Sequence, residues 1–315
     1  MVTTTGVERQ LSEVEAAVAG TFEQAGATGF FHARRIDDGG GTHLEVAVRA
    51  DEPVVTASVF KIPVLLEVTS RAAAGRSSSL TDRLRVRSGR RTTGPTGLSV
   101  MLDDVDVSIR DLAYLMMSVS DNTATDVLME WVGGVAPINA RLAGLGLTST
   151  ALVGDCEVLL RELTEDLGTA DGLDDTVALA ELVRERFADC RTLRPADTNR
   201  TTPREMTRLL QLLWTDRAGP AQACAECRRI MALQVWPHRL SSGFGDGVKV
   251  SGKTGTLPGI RNEVGVVEYP DGGRYAVAAF TLARSYAFQQ PPVDASIGTA
   301  ARTAVDFLRS GAGSS

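Results

Sequence analysis

The stretch Ala57–Val68, ASVFKIPVLLEV, sets a lysine into an apolar run three residues after a serine. If a helix opens at or just after Ser58, positions i and i+3 share a face, and the Lys61 amine comes near the Ser58 hydroxyl. A serine hydroxyl is a poor nucleophile at neutral pH and needs a base. Lysine serves as that base only when neutral, a state favoured by burial or by a neighbouring positive charge. The run IPVLLEV supplies burial, and the positive end of the helix dipole favours both a neutral amine and a nearby oxyanion. Taken alone, the pair reads first as a helix N-cap followed by a solvated lysine.

Two further stretches bear on that choice. SVSDNTA carries Ser120, Asp121 and Asn122 just past an expected helix end, and KVSGKTGTLPG carries Lys253, Thr254 and Gly255 on an expected strand. Around them the periodicity is regular. Leu11, Val14, Ala17, Val18 and Phe22 predict an amphipathic helix over 7–25. TGFFHARRI and THLEVAVRA read as two strands, with Asp37–Gly41 as a hairpin turn rather than a phosphate cradle, because strand and not helix follows the glycines. From about 54 to 230 the signals are helical: 62–74, a capping box at Ser108–Asp111, NTATDVLMEWVGG, a start near Pro203, and 223–235. GVKVSGKTGT, NEVGVVEYP and RYAVAAFTL then read as strands, the last two joined by Asp271–Gly273, and a helix over 292–308 closes the pattern. The expected fold is α/β in the α+β sense, a five-stranded antiparallel sheet flanked by terminal helices with an inserted all-α lobe. Residues 1–53 and 231–315 would form the sheet lobe and 54–230 the helical lobe. Within the latter, 161–198 reads as an enlarged acidic loop region with one helix near 175–188, a solvated excursion rather than a lid.

Composition excludes several classes. A net charge of −6 gives no reason to expect nucleic acid or an anionic membrane as partner. No run approaches the roughly 18 apolar residues that span a bilayer. The first residues show no basic and apolar leader, so the expected compartment is the cytoplasm. Cys224 and Cys227 form a C-x-x-C without a second pair at zinc spacing, and His32, His43 and His238 form no H-E-x-x-H, so neither metal nor cofactor is expected. A small molecule is the expected partner and a monomer the expected state.

The order S-x-x-K, S-D-N, K-T-G resembles the penicillin-recognising serine enzymes, the class A β-lactamases in particular. TTPREM resembles the segment that leaves their active-site loop, and the likeness runs from the first helix to the last. The resemblance implies Ser58 as acylated nucleophile, Lys61 as its base, directly or through water, and Ser120 as proton relay to the leaving nitrogen. It implies that Asn122 holds the substrate amide and Lys61, that Asp121 braces its loop, and that Lys253 and Thr254 receive the substrate carboxylate. Gly255 would let substrate lie along the strand, and the N–H groups of Ser58 and Thr256 would form the oxyanion hole. Arg261 is the nearest candidate for an auxiliary cation.

The resemblance breaks at the water-activating glutamate, which the family follows four residues later with an asparagine. Counting from S-D-N leads to VGDCEVLLREL, where Glu157 is the natural candidate, yet Arg161 stands four residues on. Glu162 and Glu165 are rivals. With a competent carboxylate the chain is expected to be a serine β-lactamase. The alternatives are a cytosolic esterase, amidase or acyltransferase of secondary metabolism, and a non-catalytic β-lactam or acyl sensor.

Overall fold

The computed structural model describes residues 4–36, 44–75, 79–168, 181–182, 184–186 and 189–310. The expected hairpin turn at 37–41, most of the expected helix near 175–188 and the tail 311–315 lie outside the described residues. A five-stranded antiparallel sheet has the order β2 (Glu45–Val48), β1 (Ala27–Arg35), β9 (Arg274–Ala283), β8 (Ile260–Glu268), β7 (Lys249–Leu257). The strand with K-T-G is therefore an edge.

Both faces of the sheet are buried, so β9 reads as a nearly continuous apolar run, while β8 carries Arg261, Asn262 and Glu263 buried beside its valines. One face packs against α1 (Thr4–Gln24) and α9 (Pro291–Ser310) through Phe22, Phe31, Val277, Ile297 and Val305. The other presents Val264, Val266, Ala276, Ala278 and Phe280 to the helices.

At the centre of the helical region lies α2 (Lys61–Ala73), in which every residue from Lys61 to Ser70 is buried. A helix buried on all sides leaves Lys61 no route by which to snorkel into water. Around it stand α3 (Ile109–Ser118), α4 (Asn122–Val132), α5 (Val135–Gly144), α6 (Cys156–Leu167), α7 (Pro203–Trp214) and α8 (Ala221–Met231). The capping box forms as expected, Ser108 Oγ accepting from the Asp111 N–H at 3.1 Å. Pro203 occupies the first turn of α7 behind the Thr202 cap, where a missing N–H costs nothing. Cys224 and Cys227 are both buried, Cys227 Sγ lying 3.2 Å from Thr69 Oγ1 of α2.

Two findings depart from expectation. The segment 54–230 is not purely helical: β3 (Val54–Val55) pairs with β6 (Arg200–Thr201), and β4 (Arg83–Val86) with β5 (Val105–Ser108). These ribbons are too short for a period-2 signal to emerge. The region from 161 also opens as helix rather than loop, since α6 runs to Leu167 behind the Asp155 N-cap. Its acidic surface masked the buried stripe of Cys156, Leu163 and Leu167. Among the described residues, no helix is long and apolar enough to cross a membrane.

Candidate active site

Ser58 lies in a 3-10 turn, Ala57–Phe60, that feeds directly into α2. With about three residues per turn, side chains at i and i+3 of such a turn nearly eclipse, and Ser58 and Lys61 stand at that spacing. The turn is held from both sides. Thr56 N–H and its hydroxyl both donate to the Asn199 carbonyl, at 3.0 and 2.9 Å, and Asn262 of β8 donates from Nδ2 to the Val55 carbonyl at 2.9 Å. Ala57 carries a φ of +44°, a left-handed strain concentrated next to Ser58.

Lys61 is fully buried. Its Nζ donates to the Ser120 carbonyl at 2.8 Å and to Asn122 Oδ1 at 2.9 Å, and lies 3.2 Å from Ser120 Oγ. Burial pushes the amine below the ordinary lysine value, opposed by the fields of Cys156, Asp126 and Asp121. A neutral amine fits this set: two N–H groups face two acceptors, and the lone pair remains for a hydroxyl proton. The geometry depends on the S-D-N turn. Ser120 has φ +62°, which swings its carbonyl toward Lys61, just after the Val119 and Asp121 N–H groups close on the Leu115 carbonyl of α3. Asp121 then caps α4, accepting from the Ala124 N–H at 3.0 Å, and also accepts from the Leu98 N–H at 2.5 Å. It braces the loop, as expected.

The edge strand β7 completes the cleft. The Thr254 N–H is taken by Gln234 Oε1 at 2.8 Å, so it points away from β8. Two residues on, the Thr256 N–H shares that open edge. Gly255 has a reason different from the expected one: a Cβ there would meet the Thr56 carbonyl oxygen at 2.6 Å and Ser58 N at 3.2 Å. Its bareness lets the strand approach the turn that carries Ser58. Lys253 is fully buried, donating to the Thr254 carbonyl at 2.9 Å. Burial pushes its amine well below the usual value, and a proton on Lys61 would push it the same way.

Arg261 does not stand free as an auxiliary cation. It is buried, and its guanidinium donates to the carbonyls of Leu257, Ile260, Ala287 and Phe288. A strand-start arginine facing the chain that follows β9 is consumed by that chain. Arg239 instead reaches the cleft, with Nη2 on Thr256 Oγ1 at 2.9 Å, Nη1 on the Gly255 carbonyl at 3.1 Å and Nε on Asp294 at 2.6 Å. Nothing in its local sequence signals this.

Glu157 also departs from expectation. Its side chain is exposed, whereas the preceding residue, Cys156, is buried and acts on Lys61. Successive helical residues differ by about 100°, so a count off by one exchanges inward for outward. Glu165 is exposed and pairs with Arg191 at 2.9 Å, and Glu162 is half-buried. Among the described residues, the carboxylates whose fields reach Lys61 are Asp126 and Asp121. Asp126, one turn into α4, accepts from the Cys156 and Glu157 N–H groups at 2.8 and 2.9 Å and from the Thr92 hydroxyl at 2.6 Å. Burial raises its pKa to about 6 and pushes the Cys156 thiol up to about 12.

A family model described as "Beta-lactamase enzyme family" matches residues 10–308. The chain belongs to the β-lactamase enzyme family. Within it, the chain is 33% identical over 300 residues to a protein of Streptomyces cacaoi named Beta-lactamase regulatory protein BlaB, covering 91% of this chain and 94% of that one. A β-lactamase structure from Sphaerobacter thermophilus matches with TM-score 0.73 and 25% identity over 94% of this chain and 97% of that one. PBP-A shares the fold, with TM-score 0.74 at 21% identity, covering 95% of this chain and 97% of that one. The architecture is that of class A β-lactamases, as the motif order implied.

Proposed function

We propose that this family member is acylated by β-lactams at Ser58 and holds the acyl group rather than releasing it rapidly. The observation that carries this reading is the first turn of α6, which turns a neutral thiol, Cys156, and not a carboxylate toward Lys61.

In this reading, acylation runs on the three motifs. Neutral Lys61 takes the Ser58 proton, directly or through water, as Oγ attacks the lactam carbonyl carbon. The developing oxyanion is received by the N–H groups of Ser58 and Thr256, each such donor being worth about 3–4 kcal/mol in the transition state. As the C–N bond breaks, the Lys61 proton passes through the Ser120 hydroxyl, 3.2 Å away, to the ring nitrogen. Lys253 and Thr254 take the substrate carboxylate, and Asn122 its side-chain amide. Hydrolysis of the resulting ester needs a base for water, and a thiol with a pKa of about 12 does not provide one near neutrality. The regulatory name of the Streptomyces relative supports a role in reporting β-lactams rather than destroying them.

Intact-protein mass spectrometry after mixing with benzylpenicillin tests the reading. A one-to-one adduct that persists for hours and is absent in Ser58→Ala is expected. Many turnovers per minute, or an adduct retained in Ser58→Ala, would overturn it. The second reading is a working β-lactamase. It is favoured by Asp126, a half-buried carboxylate whose field acts on both Cys156 and Lys61, and sustained turnover lost in Asp126→Asn would establish it.

A further inference from the structure

The K-T-G strand is an edge of the sheet, and one side chain closes part of that edge. Gln234, just past α8, turns its Oε1 to the Thr254 N–H at 2.8 Å and donates from Nε2 to Glu263 Oε1 of β8 at 2.5 Å. The amide reaches the neighbouring strand by passing Gly252, where an added Cβ would lie 3.5 Å from Gln234 Nε2 and 3.2 Å from Glu263 Oε1. Thr254 and Glu263 are cross-strand partners, so they stand on one face of the sheet. Glu263 is fully buried, and its Oε2 accepts from the Leu240 N–H at 2.7 Å.

One acid therefore holds two lines. Oε1 reaches through Gln234 to the backbone of Thr254. Oε2 holds Leu240, the residue after Arg239, whose Nη2 meets Thr256 Oγ1 at 2.9 Å. The direction of each bond is fixed. A backbone N–H can only donate, so Gln234 presents its oxygen to Thr254 and its NH2 to Glu263, and Glu263 presents an oxygen to each of its partners. Burial raises the Glu263 pKa, which leaves these bonds in place, because a protonated carboxyl keeps acceptor lone pairs.

We propose that Gln234 and Glu263 form a clamp that sets the K-T-G strand against the segment carrying Arg239, making both of them positioning residues for recognition of the substrate carboxylate. This rests on the reading of Ser58 as the β-lactam nucleophile. The fixed directions make an exchange of the two side chains informative. In Glu263→Gln the new NH2 meets a donor, either the Leu240 N–H or Gln234 Nε2. In Gln234→Glu/Glu263→Gln the amide and the acid trade places, and all three hydrogen bonds return, the middle one with its direction reversed.

The test is rapid-mix acylation, which separates the affinity of the first complex from the acylation rate, with two probes: benzylpenicillin and its methyl ester, which lacks the carboxylate. Glu263→Gln is expected to weaken the first complex with benzylpenicillin about tenfold and to leave the ester complex unchanged. Adding Gln234→Glu is expected to bring the benzylpenicillin affinity back to within about threefold of wild type. Gln234→Ala, at a half-buried position, is expected to show the same selective loss and serves if Glu263→Gln does not fold. Wild-type affinity in either single variant, equal losses with both probes, or no recovery in the double variant overturns the proposal. Failure of the wild-type chain to be acylated by either probe overturns the Ser58 reading instead. The clamp is then read from melting temperatures, where a double variant no more stable than Glu263→Gln overturns it.

Discussion

Lys61 Nζ stands 2.9 Å from Asn122 Oδ1, joining the first residue of one helix to the first residue of another. The contact fixes the amine, and the burial of α2 sets its protonation. Because burial lowers the Lys61 pKa, the base form grows as pH rises through a range below the ordinary lysine value of about 10.4. Stopped-flow acylation by a β-lactam is expected to show an ascending limb there. Lys61→Met is expected to slow acylation on the order of 10²–10⁴-fold, and a pH-independent rate left intact in Lys61→Met would contradict the assignment.

Cys156 is the position at which a carboxylate would meet Lys61. Cys156→Glu is expected to accelerate release of the acyl group, read as steady-state turnover of a chromogenic cephalosporin after the initial burst. Asp126 accepts from the backbone of that same residue at 2.8 Å, so a second carboxylate there meets like charge. The double variant Cys156→Glu/Asp126→Asn is therefore expected to turn over faster than the single one. No gain in either would place the water-activating position elsewhere.

Asp126 also leaves a signature in stability. Its carboxyl is raised from 3.8 to about 6 in the folded chain. Between those values the native state binds more protons than the unfolded state, so this contribution is present at low pH and lost as pH rises through about 6. Asp126→Asn is expected to flatten that part of the profile, a change on the order of 2–3 kcal/mol at most. Urea denaturation at several pH values measures it, and parallel profiles for the two proteins would refute it.

Gly255 is expected to resist even one added methyl. In Gly255→Ala the Cβ meets a backbone carbonyl oxygen at 2.6 Å, and that oxygen belongs to the turn carrying Ser58. The turn or the strand has to shift, at a cost of about 1–3 kcal/mol, and acylation slows because the oxyanion donors separate. A wild-type melting temperature with wild-type acylation would show that the close approach has no consequence.

The two arginines near the strand are expected to separate in function. Arg239→Met removes the bond to Thr256 Oγ1 at 2.9 Å and should weaken binding of a carboxylate-bearing β-lactam. Arg261→Met removes bonds to carbonyls outside the cleft and the 3.7 Å ion pair with Asp294, and should lower thermal stability more than that affinity. The reverse pattern in equilibrium binding to Ser58→Ala backgrounds would restore Arg261 to the site.

The sequence by itself determined the five strands, the helices that flank them and the three motifs that meet at Ser58, because each rests on local signals. Period-2 and period-3.6 burial marks strands and helices, caps mark helix starts, and residue type names a nucleophile or base. Tertiary structure alone decided which neighbour faces the cleft. Cys156 rather than Glu157 points at Lys61 because a helix turns about 100° per residue, and the exact start of α6 depends on Asp155 capping it and Asp126 holding its first N–H groups. Arg239 joins the site through a contact with Thr256, 17 positions away. Such contacts leave no periodic trace in a chain, since they depend on where two elements pack and not on how either one is spelled.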